Sequence, residues 1–229
     1  LGGKMVWGFS TEGKRFSTPA VSNNYVVVGS SDGYIYSLDA RNGTLKWRVK
    51  CAKSVLGSAT IYKGLVYIGA SDGTFRALDL KSGKQKWICN KIAGTIVSKP
   101  YVDDKQVVIG DWANQLYSFS PKTGAIMWIW HTPKSLHNFA PAQVWPIKSN
   151  DKIIVVCPDR FSYQIDAYTG KTLASNYGGR EAIGLSLDGN SYYVKSMKDT
   201  VKAISTILTS GAVADTKIPH NRDRDGSII

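Results

Sequence analysis

The sequence is poor in the residues that catalytic and metal centres draw on. It has three histidines and three cysteines in 229 residues. The cysteines, Cys51, Cys89 and Cys157, form no C-x-x-C pair, so the common zinc and thioredoxin-like spacings are missing. There is no HExxH, Walker loop or ordered Ser/His/Asp set. No apolar run approaches the roughly 18 to 20 residues a membrane-spanning helix needs. Acidic residues are scarce, 17 against 29 Lys and Arg, which leaves a net charge of +12. That balance admits an acidic partner such as nucleic acid, an anionic membrane or an acidic protein. The basic residues are scattered, however, and no nucleic-acid motif accompanies them. A solvated basic surface is the simpler expectation, and nucleic acid is not expected as a partner.

What the chain does have is glycine (22), tyrosine (12) and tryptophan (7), the mixture of many short strands joined by tight turns. These residues recur on a fixed beat. Gly29, Asp32, Gly33, Asp39, Gly43 and Trp47 are followed forty residues later by Gly69, Asp72, Gly73, Asp79, Gly83 and Trp87. A third set runs through Gly110, Ser120, Gly124 and Trp128. A fourth, with Asp166 and Gly170, has Ala174 where the tryptophan should stand. A period near forty with alternating strands and no helical pattern predicts a repeat architecture.

Each repeat predicts four antiparallel strands, which make one β-propeller blade. In the first, Tyr25-Val-Val-Val-Gly29 is an apolar run, Ser31-Asp32-Gly33 a hairpin, and Arg41-Asn42-Gly43 a second turn before an alternating strand. Blades are expected over about 16–50, 56–90, 97–130, 139–175 and 181–206 of a single domain. Gly3 to Trp7 matches Gly43 to Trp47, and Asp225-Gly226 matches Asp72-Gly73. The expectation is a closing blade split between 1–7 and 217–229, in an intact ring of six to eight blades without a free edge. The Ser205 to Asp225 step is shorter than the repeat requires, which points to missing residues or a degenerate blade.

The segment Leu78-Asp79-Leu-Lys-Ser82-Gly83-Lys-Gln-Lys-Trp87 resembles the PQQ-like, or quinoprotein-type, repeat. The first three blades match it closely, the fourth in part and the fifth weakly. The resemblance implies an all-β propeller in which each tryptophan packs on the turn glycine of a neighbouring blade. On that reading all the repeat residues named above are structural. The chain is similar to bacterial cell-envelope propellers, among them the lipoprotein of the barrel-assembly machinery. That similarity implies a non-catalytic scaffold or ligand-binding module, periplasmic or extracellular, with another protein or an envelope component as partner. One alternative is the accessory propeller of a larger envelope enzyme, such as a calcineurin-like phosphoesterase. Another is a PQQ-dependent dehydrogenase with calcium, but the vicinal cysteine pair of those enzymes is missing here. No cofactor and no metal is expected.

Function should then lie where the repeat breaks. The step from Gly124 to Gly170 is 46 residues, which marks an insertion. Trp130, His131, His137, Phe139 and Trp145 are the candidate interaction surface there; Phe139 and Trp145 could equally pack beneath a long loop. The axial funnel is the other candidate. His131 and His137, with no carboxylate nearby, make a weak metal signal. Residues 221–228 resemble part of a calcium loop, although a blade hairpin explains them as well. Cys51 and Cys89 could face one another, but free thiols are the expected state.

Overall fold

The repeats stack as successive antiparallel sheets. The computed structural model describes residues 3–14, 17–132, 145–157, 159–178, 183–195 and 201–208. Blade one comprises β1 (Ala20–Ser22), β2 (Tyr25–Gly29), β3 (Tyr34–Asp39) and β4 (Leu45–Lys50). Blade two comprises β5 (Thr60–Tyr62), β6 (Leu65–Gly69), β7 (Phe75–Asp79) and β8 (Gln85–Cys89). Blade three has β9 (Tyr101–Val102), β10 (Val107–Gly110), β11 (Gln115–Phe119) and β12 (Ile126–His131). Blade four has β13 (Ile147–Ser149), β14 (Lys152–Val156), β15 (Phe161–Asp166) and β16 (Thr172–Tyr177). Blade five, among the described residues, has three strands: β17 (Ile183–Leu185), β18 (Ser191–Lys195) and β19 (Val201–Ser205). Within every sheet the strands lie in sequence order, and first strands of neighbouring blades touch at β1–β5, β5–β9 and β13–β17.

The core lies between blades. Because side chains alternate across a strand, each sheet buries one set of residues against the blade before it and another against the blade after it. Val27, Ile35 and Trp47 of blade one meet Val66, Ile68 and Leu78 of blade two. Tyr67, Phe75 and Trp87 meet Val107, Ile109 and Phe119. Trp128 and Trp130 meet Ile153, Val155 and Tyr163. The central strands are therefore apolar on both faces, which is why they read as continuous runs.

The seams share one lock. Indole N–H groups donate from Trp47 to the Leu80 carbonyl (2.9 Å), from Trp87 to Pro121 (2.9 Å) and from Trp128 to Ala167 (3.0 Å). Each ring lies flat on the next turn glycine. A methyl group on Gly83 would sit 2.8 Å from Cδ2 of Trp47, and the φ of Gly83 is +69°. Only glycine meets both demands. A bulge precedes each tryptophan: opposite Ser37 and Leu38 the register skips Lys46, and the same skip recurs in blades two, three and four. The extra residue re-aims the strand so that the indole points across the seam.

Trp7 repeats this placement, donating to the Ala40 carbonyl at 3.0 Å and covering Gly43. Yet the strand expected at 3–7 is not formed, because no strand among the described residues pairs with this segment. The segment expected at 217–229 lies outside the described residues.

Candidate functional site

The stack has two faces with different chemistry. The turn face carries the hairpins between first and second strands and the turns between third and fourth. The hairpin face carries the hairpins between second and third strands and the connectors that lead to the next blade.

On the turn face, carboxylates hold the backbone and the lysines. Asp39 accepts from the Arg41 N–H, Asp79 from those of Lys81 and Ser82, and Asp166 from those of Tyr168 and Thr169. The Arg41 and Lys46 side chains hold the Asp39 carboxyl well below the usual carboxylate range. The ion pairs Lys86–Asp79, Lys63–Asp104 and Lys148–Asp103 lie on this face too. A cavity of about 300 Å³ between blades two and three is lined by Tyr62, Lys63, Asp103, Asp104 and Lys122. Lys63 and Asp104 pair with each other there, and Asp103 is held by Lys148 from blade four.

On the hairpin face the carboxylates turn inward. Asp32 accepts from the Tyr34 N–H and the Tyr36 hydroxyl, and burial together with that contact pushes Tyr36 up to about 12. Asp72 accepts from the Thr74 N–H and, across the seam, from the Ala52 N–H. Asp111, fully buried, accepts from the N–H groups of Gly94, Ala113 and Gln115 and from the Tyr117 hydroxyl. Burial raises its pKa. Asp159 accepts from the Phe161 N–H and the Tyr163 hydroxyl. All four close hairpins, and Asp72 and Asp111 also hold the connector from the preceding blade. Gly33 and Gly73 take positive φ in the same hairpins, and Gly29 and Gly69 leave room for the incoming side chains of Val55 and Ile96. Lys53 and Lys91 have no carboxylate partner among the described residues, and Lys50 meets only the Asp32 carbonyl and the Tyr34 ring.

The candidate surface at the insertion divides. Trp130 is not on it: the side chain is 5% exposed, donates to the Thr172 hydroxyl at 2.9 Å and stacks edge-on against Tyr163. Two residues from Trp128 on the same strand, it faces the same seam. His131, at the end of β12, is exposed, and Trp145 is 52% exposed. His137 and Phe139 lie outside the described residues. Trp112, outside the candidate surface expected from the sequence, is 39% exposed in the blade-three hairpin. Its signal was available: Trp112-Ala113-Asn114 stands where two other blades have Ser-Asp-Gly.

No group of three or more His, Cys, Asp or Glu residues among the described residues is placed to hold a metal ion. The three cysteines are buried and unpaired. No helix among the described residues is long and apolar enough to cross a membrane.

Comparison with known proteins supplies the lineage. A PQQ-type family model described as "Outer membrane protein assembly factor BamB" matches residues 1–214. Among solved structures, BamB from Moraxella catarrhalis superposes with a TM-score of 0.69 at 14% identity. The match covers 82% of this chain and 60% of that one, so the chain spans less than two thirds of its neighbour's length. At that identity the likeness shows the fold alone. No curated protein gives a significant match.

Proposed function

The chain belongs to the PQQ-repeat family described as outer membrane protein assembly factor BamB, and from that membership we propose a non-catalytic protein-interaction scaffold of the bacterial cell envelope. The compartment in this reading is the periplasm and the partner is another protein. The reading needs no cofactor, and the hairpin carboxylates are occupied by backbone N–H and tyrosine hydroxyl donors.

One observation carries the reading. The large aromatics of the seams are buried, whereas Trp112 and Trp145 stand out on the hairpin face of blade three and its exit. Tryptophan is costly to leave in water and is enriched among the residues that dominate binding energy. With Lys91, free of carboxylates, in the connector whose Thr95 carbonyl accepts from the Trp112 N–H, the face has an interface's composition.

The test is site-specific photo-crosslinking in the native envelope at positions 112 and 145, with Ser82 on the turn face as control. The expected result is one protein partner captured from the hairpin face, with affinity lowered about tenfold or more by Trp112→Ala. Equal capture from Ser82, or an unchanged affinity in Trp112→Ala, would overturn it.

A further inference from the structure

The first seam carries a cleft on the hairpin face, about 430 Å³ in volume, between blades one and two. Ser31, Asp32, Lys50, Lys53, Ser54 and Ser71 line it. Its one lining carboxylate, Asp32, keeps its charge but has both oxygens turned to donors of its own blade. Asp32 is committed to Tyr34 and Tyr36, and the neighbouring Asp72 to Thr74, Ala52 and, at 3.8 Å, Arg76.

Its two lysines outnumber that carboxylate. The Lys50 ammonium donates to the Asp32 carbonyl at 3.0 Å and lies 4.1 Å from the centre of the Tyr34 ring, two neutral contacts that hold it in place without cancelling its charge. Lys53 is exposed and has no partner among the described residues. The Ser71 hydroxyl is buried at the cleft wall with no hydrogen-bond partner. A buried hydroxyl without a partner is costly, and rotation about χ1 into the cleft would let it donate to an arriving acceptor. The walls are fixed by the seam: Ser71 N–H donates to the Ser54 carbonyl, and the Ser54 hydroxyl to the Ser31 carbonyl, each at 2.9 Å.

We propose that this cleft seats a carboxylate side chain of an acidic peptide segment, with Lys50 and Lys53 supplying the charge and Ser71 a hydroxyl donor. The proposal rests on the reading of the hairpin face as the docking face, and it names the chemistry of the segment that docks. The same lysine density on the turn face makes no such site, because carboxylates there already hold Lys46, Lys63, Lys86 and Lys148.

The probe is a fluorescein-labelled decaglutamate peptide, read by anisotropy on the whole chain. Binding is expected to weaken with salt and to fall about tenfold in Lys50→Ala/Lys53→Ala. The turn-face double variant Lys81→Ala/Lys84→Ala should bind as the parent does. Both pairs are exposed, so an unchanged melting temperature checks that the fold is intact. Equal loss in the two double variants would overturn the site in favour of diffuse attraction. Free glutarate binding as tightly as the peptide would overturn the peptide and leave a small-anion site. Photo-crosslinking from Trp112 is unaffected by these substitutions. Its survival after peptide binding fails would sink the cleft alone, and its failure would sink the scaffold reading.

Discussion

Lys148 of blade four places its ammonium 2.6 Å from the Asp103 carboxylate of blade three, with both side chains largely withdrawn from water. The next residue, Asp104, reaches the other way, to Lys63 of blade two. One hairpin thus ties three blades through two adjacent carboxylates. The two ties differ in exposure: the side chains of Lys63 and Asp104 are 65% and 64% exposed, those of Lys148 and Asp103 11% and 22%.

The two ties should therefore differ in strength. A double-mutant cycle on Asp103→Asn and Lys148→Met, measured by urea unfolding, is expected to show a coupling of about 1 kcal/mol or more. The same cycle on Lys63 and Asp104 should show a smaller coupling, because water screens that pair. Equal couplings would refute the role assigned to exposure.

Gly83→Ala should destabilise the chain by about 2 kcal/mol, since the methyl group meets the Trp47 ring and the residue holds positive φ. Trp47→Ala removes the lock outright and should cost about 3 to 5 kcal/mol. Trp130→Ala belongs in the same range, while Trp112→Ala and Trp145→Ala should change stability by less than about 0.5 kcal/mol. A neutral Trp130→Ala would contradict its burial.

Acid should act through the turns. The Ser82 hydroxyl and N–H lower the pKa of Asp79, the Thr169 N–H and hydroxyl that of Asp166, and Arg41 and Lys46 that of Asp39. A lowered folded pKa gives stability that is full above the unfolded value, about 4, and drains away as pH falls through the folded one. The melting temperature should be level from pH 7 to 5 and drop below pH 4, less steeply in Asp39→Asn. An equally steep fall in that variant would remove Asp39 from the account.

Thiol reagents should find nothing in the folded chain. Burial pushes the thiols of Cys51 and Cys157 up, and Cys89 is buried as well. Ellman's reagent should titrate three thiols in denaturant and almost none in buffer. Prompt labelling of Cys51 under native conditions would show that its seam opens.

The architecture was legible because it repeats. Trp47, Trp87 and Trp128 share one setting, and so do their glycines. The bulge residues Lys46, Lys86 and Met127 were not legible, since a register skip leaves no mark on composition. Trp130 was misplaced on the surface because insertion was weighed above alternation, although its spacing from Trp128 already put both on one side of β12. Trp112 was missed because a departure from Ser-Asp-Gly reads as decay of a repeat, and only exposure separates decay from a binding residue. The cleft at Lys50 depends on where Asp32 and Asp72 spend their oxygens, which spacing cannot disclose.

Blade four puts Ala174 opposite Gln164, the place its predecessors give to an indole. The seam beyond it has a smaller apolar cluster, Ile154 and Val156 against Ile183, Tyr192 and Val194, and two polar contacts: Ser162 and Tyr192 share a hydrogen bond at 2.8 Å, and the Gln164 amide donates to the Ser205 carbonyl at 2.9 Å. Neither bond replaces the broad contact of a ring pressed on glycine. Pulled from its two ends, the chain should peel at this junction first and surrender blade five as a unit, while the three indole-locked junctions hold. The stack thus has a built-in order of mechanical failure, set by one missing ring.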